Sequence, residues 1–211
     1  MTSTTYRARR TPRAATRRRR LLAGVVSALG LGAIALGVAG VAGIGPLSDA
    51  VREITLPLRH EDIIRQQAAD KGVDAALIAA VIYEESRFRD ATSHAGARGL
   101  MQITPQTADY IAAKSGGVAF EQGDLATPQI NIAYGSWYLQ YLQEKYDGHE
   151  MATVAAYNAG EGRVDGWISA AGGLTNFSED HIAFPETREY VDGVLDHRRD
   201  YRKHYDDELG Y

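Results

Sequence analysis

The chain has no cysteine among its 211 residues. This absence excludes disulfide bonds, a thiol nucleophile, cysteine-ligated metals and a lipid-modified cysteine. The six histidines form no H-E-x-x-H pattern, and the sequence G-E-G-R at residues 160–163 lacks the lysine and the hydroxyl of a phosphate-binding loop. We therefore predict that the protein uses neither a metal nor another cofactor.

Acidic residues are absent from residues 1–20, which contain eight arginines and end in four of them. Since the whole chain has 23 Lys and Arg, the remainder has 15 basic residues against 27 Asp and Glu. An acidic body argues against nucleic acid as a partner. The basic segment is too polar to build a core, so we predict a disordered cytoplasmic tail over residues 1–20.

Charge of either sign is absent from residues 21–44, a run of 24 residues rich in Leu, Val, Ala and Gly. This length can cross a bilayer as a helix. It also exceeds the usual signal-peptide core of about 7–15 residues, so we predict a transmembrane signal anchor. The basic side stays in the cytoplasm, which places the rest of the chain outside. The many Gly and Ala residues leave a cleaved signal peptide, and hence secretion, as the alternative.

The strict apolar alternation of a β-strand occurs nowhere in the remaining sequence. Residues 45–58 contain Gly45, Pro46 and Pro57 and are predicted to be a linker. From residue 59 onward, apolar residues recur at helical spacing, and Thr-Pro pairs and glycines mark helix starts and ends. The sequence therefore predicts an all-α domain of six to eight short helices over residues 59–211.

One predicted helix, over residues 74–88, carries two adjacent carboxyl groups on an otherwise apolar segment. Asp74 can cap its first turn. At about 100° per residue, Glu85 lies roughly 20° from the centre of the apolar stripe and Glu84 roughly 80° away, at its edge. Apolar surroundings raise a carboxyl pKa, which suits a general acid near neutral pH. This helix alone leaves a structural, partly buried Glu85 as the alternative.

Four separated motifs together resemble the soluble lytic transglycosylase (SLT) domain family. They read V-I-Y-E-E-S-R-F, S-H-A-G-A-R-G-L-M-Q, A-A-Y-N-A-G-E-G-R-V and F-P-E-T-R-E-Y-V. A fifth segment, T-P-Q-I-N-I-A-Y-G-S-W-Y-L, looks like another element of the family. The resemblance covers residues 60–195 in order. It implies a goose-type-lysozyme-like α fold and an enzyme that cleaves the glycan strands of peptidoglycan.

The resemblance also implies the site residues. The catalytic Glu of the family stands immediately before Ser, which corresponds to Glu85, while Glu84 occupies a variable position. The implied substrate-binding residues are Ser93, Met101, Gln102, Tyr157, Asn158 and Tyr190. From the residues alone, five of these six also have structural interpretations as a turn cap (Ser93), core side chains (Met101, Tyr157 and Tyr190) or a helix end (Asn158).

Two positions depart from the family pattern. Glu161 stands where the family commonly has Pro, and His94 replaces a common Pro after Ser93. Neither change removes a residue to which the resemblance assigns a role.

The implied reaction is non-hydrolytic and needs one carboxyl group. Glu85 would protonate the bond between N-acetylmuramic acid and N-acetylglucosamine and then act as a base, leaving a 1,6-anhydromuramyl end. A hydrolytic muramidase on the same fold is the alternative and would need a second carboxylate, or a positioned water, across the groove. The candidates for this second carboxylate are Glu84, Asp90, Glu161, Glu179 and Glu186. A non-catalytic, membrane-tethered glycan-binding module is a third hypothesis.

Overall fold

The structure, a computed structural model, describes residues 46–116 and 121–211. The predicted tail over residues 1–20 and the predicted anchor over residues 21–44 lie outside these ranges. Helix α1 (Pro46–Thr55) belongs to one unit, and residues 56–211 form a second. Helix α1 lies within the predicted linker, so much of that segment is helical. Within the described ranges, no helix combines the length and the apolar character needed to cross a bilayer.

The described part of the second unit is all-α and contains no β-strand, as the sequence predicted. Its eight α-helices are α2 (Glu61–Lys71), α3 (Ala75–Ser86), α4 (Pro105–Ser115), α5 (Pro128–Lys145), α6 (Glu150–Ala159), α7 (Glu161–Ala170), α8 (Pro185–His204) and α9 (Asp206–Leu209). Short 3-10 turns occur at Gln122–Ala126, Leu174–Asn176 and Glu179–His181.

Local capping chemistry sets several helix boundaries. The Asp74 carboxylate accepts a hydrogen bond from the Ala76 N–H at 3.0 Å and so caps α3. The Thr104 hydroxyl likewise accepts from the Thr107 N–H at 3.1 Å, and Pro105 occupies the first position of α4. These starts agree with the sequence predictions.

Helix α3 lies at the centre of the domain and packs along α8, which in turn packs on α6. Residues 75–83 are all buried, so the single apolar stripe predicted for this helix is wrong. The predicted extension to Phe88 is also wrong. The helix ends at Ser86, whose hydroxyl donates to the Leu100 carbonyl at 2.7 Å, and Arg87 and Phe88 turn the chain with φ of 52° and 59°.

Candidate active site

Glu85 stands in the last turn of α3, where the helix emerges from the core. The Tyr190 hydroxyl, from α8, donates a hydrogen bond to Glu85 Oε1 at 2.7 Å. Burial raises the pKa of Glu85 to about 7; the Tyr190 hydrogen bond opposes this shift, and the negative charge of Glu84 adds to it. A carboxyl group with this pKa can both release and take up a proton near neutral pH.

Glu85 lines a cavity of about 330 Å³. Side chains and backbone from the loop after α3 and from α4, α5, α6 and α7 form the rest of the wall. These residues are Gln102, Ile103, Thr104, Thr107, Ile111, Tyr138, Tyr157, Asn158, Ala159, Gly160 and Arg163. Among the described residues of this wall, Glu85 is the one carboxylate. The cavity therefore joins a single proton-transfer group to polar and aromatic walls that suit a sugar.

Three of the predicted substrate-binding residues line this cavity, namely Gln102, Tyr157 and Asn158. A fourth, Tyr190, contacts Glu85 directly. The structure thus brings together residues that are up to 105 positions apart in the chain.

The lining side chains are held in place by hydrogen bonds. The Gln102 amide donates to two carbonyls of its own loop at 2.9 and 2.8 Å. The Tyr157 hydroxyl donates to the Met101 carbonyl at 3.0 Å, and Asn158 Oδ1 accepts from the Thr187 hydroxyl at 2.7 Å. Such preorganisation keeps the wall in one geometry before a ligand binds.

Ser93 and Met101 are placed differently from the other predicted residues, because neither is among the residues that line the cavity. The Ser93 hydroxyl accepts from the Ala97 N–H at 3.0 Å and so closes a turn. The Met101 side chain is fully buried against Gly135 of α5. The structure thus shows the structural role of each residue, and their contact with substrate stays a prediction.

The residue that organises the loop after α3 is not among those that the sequence predicted for the site. Asn131 of α5 is fully buried. Its Oδ1 accepts from the Met101 N–H at 2.8 Å, and its Nδ2 donates to the carbonyls of Arg98 and Leu125 at 2.9 and 3.0 Å. The family-like segment that contains Asn131 was the available signal, but it does not name the partners.

Tyr138 of α5 is a second site residue that the sequence did not predict. It lines the cavity beside Tyr157, with ring centroids 5.6 Å apart. Burial, and then the charge of Glu161, raise the pKa of Tyr138 to about 12. The aromatic residues of this helix indicate a core face, and their spacing alone does not show which ring reaches the cavity.

The five candidate second carboxylates lie elsewhere, since none of them is among the residues described as lining the Glu85 cavity. Glu84 pairs with His197, whose Nδ1 lies 2.7 Å from Glu84 Oε1. Glu161 accepts hydrogen bonds from the Tyr141 hydroxyl at 2.9 Å and from the Lys145 ammonium at 3.0 Å. Both carboxylates therefore have partners of their own outside this cavity.

Residues 62–178, more than half of the chain, match the sequence profile of the transglycosylase SLT domain. The chain belongs to this family. The matched segment of the SLT domain includes Glu85 and the loop after it, and it ends before α8. The Tyr190–Glu85 contact is therefore an observation of the structure and not of the profile match.

Named relatives of this SLT chain include soluble and membrane-bound proteins. It is 34% identical over 163 residues to the soluble lytic murein transglycosylase of Escherichia coli K12, an overlap that covers 75% of this chain and 25% of the relative. It is 39% identical over 116 residues to the membrane-bound lytic murein transglycosylase C of Haemophilus influenzae Rd, which covers 50% of this chain and 32% of the relative.

Solved structures share the fold. The 70-kDa soluble lytic transglycosylase of E. coli superposes with a TM-score of 0.68 at 33% identity, over 74% of this chain and 26% of that one. The lytic transglycosylase Slt of Pseudomonas aeruginosa, solved as an inactive Glu-to-Gln mutant, gives a TM-score of 0.67 at 32% identity, with the same coverage. The SLT chain thus spans about a quarter of the length of these proteins.

The hydrogen bond from Tyr190 leads to a testable prediction. Removing the donor in Tyr190→Phe destabilises the Glu85 carboxylate, so the pKa of Glu85 should rise above 7, by about one unit. Titration of the Glu85 carboxyl carbon by NMR measures this change. Tyr157→Phe is the matched control, because that hydroxyl donates to the Met101 carbonyl instead. An unchanged or lower pKa in Tyr190→Phe would contradict the prediction.

Proposed function

We propose that this protein is a peptidoglycan lytic transglycosylase, a carbon–oxygen lyase. It cleaves the β-1,4 bond between N-acetylmuramic acid and N-acetylglucosamine and leaves 1,6-anhydromuramyl ends. The observation that carries the proposal is the mostly buried carboxyl group of Glu85, with its pKa raised to about 7, as the one carboxylate in the described wall of its cavity. The lytic murein transglycosylases among the relatives support the substrate class.

Glu85 performs both proton transfers of the proposed reaction. Protonated Glu85 donates to the glycosidic oxygen as the bond to the muramyl C1 breaks, and the substrate's own N-acetyl group shares the positive charge at C1. The Glu85 carboxylate then removes the proton of the muramyl C6 hydroxyl, and the C6 oxygen attacks C1. No water is consumed and Glu85 ends protonated. A pKa near 7 suits both steps, because neither protonation state is strongly disfavoured.

Tyr190 has a defined part in this cycle. Its hydroxyl donates to Glu85 Oε1 and stabilises the carboxylate that exists between the two proton transfers. Burial, and then the charge of Glu85, raise the pKa of Tyr190 well above its usual value, so the phenol remains a donor. Tyr190 therefore supports the base form of Glu85 without competing for its proton.

The glycan strand lies against Gln102, Tyr157 and Asn158 in this proposal. The partly buried ring of Tyr157, whose hydroxyl donates to the Met101 carbonyl, offers a surface for a sugar ring, and the amides of Gln102 and Asn158 offer polar contacts beside it. Ser93 and Met101 belong to the same loop as Gln102, and their contact with the glycan strand is part of the proposal. The P. aeruginosa relative, solved as an inactive Glu-to-Gln mutant, is consistent with dependence on a single Glu.

Product analysis tests the proposal. Mass spectrometry of purified peptidoglycan digested by the full chain should show 1,6-anhydromuramyl ends, because the C6 hydroxyl and not water attacks C1. A parallel digest with a hydrolytic muramidase provides the reducing-end standard. Reducing ends from this protein would overturn the lyase in favour of a hydrolase. Binding without any glycan release would overturn catalysis in favour of a glycan-binding module.

We also propose that residues 21–44 hold the enzyme in the membrane with its catalytic domain outside the cytoplasm, where peptidoglycan lies. The basic residues 1–20 and the uncharged run after them support this orientation. The relative from H. influenzae, which is named as membrane-bound, supports a membrane location. Cleavage of the segment would instead release the enzyme. The mass of the mature chain and its presence in the membrane fraction distinguish a retained anchor from a cleaved one.

A further inference from the structure

One face of α8 holds both carboxyl groups at the end of α3. Tyr190 and His197 are seven residues apart, which is about two helical turns, so their side chains emerge on the same face. Tyr190 donates to Glu85 at 2.7 Å, and His197 Nδ1 lies 2.7 Å from Glu84 Oε1. The neighbouring carboxyl groups therefore have separate partners on a single helix.

The contact between Glu84 and His197 depends on close packing of the two helices. A Cβ at Gly193 of α8 would lie 2.6 Å from Glu84 Oε1, so glycine permits this approach. His197 Nδ1 also lies 2.8 Å from the Gly193 carbonyl, and its ring lies 4.1 Å from the Tyr83 ring between centroids. The Glu84 and His197 side chains are only 24% and 27% exposed. This pair is thus more constrained than a surface ion pair between long, mobile side chains.

The charged and titratable groups around the pair come from both helices. Arg87, in the turn after α3, lies over the Tyr83 ring, and the charge of Glu84 acts on Tyr190 and Tyr201 of α8 and on Glu85. Arginine and tyrosine ordinarily keep their charge state between pH 5 and 8, whereas histidine changes its own.

We propose that the Glu84–His197 pair controls the charge beside Glu85 and thereby sets how readily that residue donates its proton. When His197 is protonated, it balances the Glu84 carboxylate. When His197 loses its proton, the Glu84 charge is unbalanced next to Glu85 and opposes ionisation of Glu85. The inference rests on the proposed function in taking Glu85 as the acid. His197 acts through Glu84 and is a positioning residue.

The sign of the effect differs between two substitutions. Glu84→Gln removes the neighbouring negative charge, which contributes to the raised pKa of Glu85, so that pKa should fall by roughly half to one unit. His197→Gln leaves Glu84 unbalanced at every pH, so the pKa of Glu85 should rise by a similar amount. In the double variant that combines Glu84→Gln with His197→Gln, the loss of His197 should no longer raise the pKa of Glu85, because this effect requires the Glu84 charge.

The measurement uses the full chain in mild detergent with ¹³C-labelled glutamate carboxyl groups. NMR titration gives the pKa of Glu85, whose signal is identified by its loss in Glu85→Gln. The alkaline limb of the pH–rate profile for glycan release should move in the same direction as this pKa. His181→Gln is the control, because His181 Nδ1 lies 2.9 Å from the Ser178 hydroxyl, in the loop before α8. It should leave the pKa of Glu85 unchanged.

Opposite shifts in Glu84→Gln and His197→Gln support the inference, and absent or same-sign shifts overturn it. If His197→Gln fails to fold by circular dichroism, the requirement that Glu84→Gln lowers the pKa remains decisive. Normal glycan release without the pKa shifts would overturn this inference alone. Opposite pKa shifts in a protein that releases no glycan would overturn the proposed function and leave the electrostatic coupling intact.

Discussion

Glu85→Gln should lower the rate of glycan release by about 10²–10⁴-fold, because general acid–base catalysis typically contributes that much. The amide is nearly the same size and still accepts a hydrogen bond from Tyr190, but it can neither donate a proton to the leaving oxygen nor take one from the C6 hydroxyl. Both proposed proton transfers are lost together. The rate of anhydro-product formation at pH 6 measures the effect, and near-normal release would exclude Glu85 as the catalytic group.

The same variant should be at least as stable as the unmodified protein. Because the pKa of Glu85 rises from the ordinary 4.5 to about 7 on folding, the folded protein loses stability as pH rises from about 4.5 through 7. Replacing the carboxyl group with an amide removes this pH-dependent loss of folding stability, which amounts to at most about 3 kcal/mol. Thermal melts at pH 5 and pH 8 measure this difference. A variant that melts lower than the unmodified protein at both values would show that lost activity reflects damaged folding.

Gly99→Ala should destabilise the domain by about 2–4 kcal/mol, combining backbone strain with overpacking. Gly99 has φ of 76°, in the left-handed region that disfavours a Cβ. That Cβ would also lie 2.5 Å from the Leu125 carbonyl oxygen and overlap the Asn131 side chain. Since Asn131 also holds the Met101 N–H, a shift there displaces the loop that carries Gln102. We therefore expect catalysis to fall as well.

Gly148→Ala is the matched control for this substitution. Gly148 has φ of 77°, but a Cβ there would meet no atom within 4 Å. Gly148→Ala should therefore lower the free energy of unfolding by only about 1–2 kcal/mol, which is the backbone contribution alone. Urea unfolding of both variants separates the two contributions. Equal losses of stability would contradict a steric role for the Asn131 contact, and unchanged glycan release by Gly99→Ala would contradict its coupling to the site.

The two carboxyl groups at the end of α3 show what the apolar periodicity of the sequence can predict and what it cannot. The helical wheel separated Glu84 from Glu85 by placing them differently on one apolar stripe, yet residues 75–83 are buried on every side. What separates the two groups in the structure is α8, which presents Tyr190 to Glu85 and His197 to Glu84. The family-like motif in which Glu85 precedes Ser86 indicated Glu85, but no local pattern indicates the partners of either group.

The sequence by itself determined the helical character of the domain and the starts of α3 and α4, since caps such as Asp74 and Thr104 act within a few residues of themselves. Its motifs also determined the family and indicated Glu85. Only the tertiary structure decided that Asn131 holds the loop, that Tyr138 reaches the cavity and that α8 contacts both carboxyl groups. These contacts join residues far apart in the chain, and their energies depend on how whole helices pack, which a local pattern does not encode.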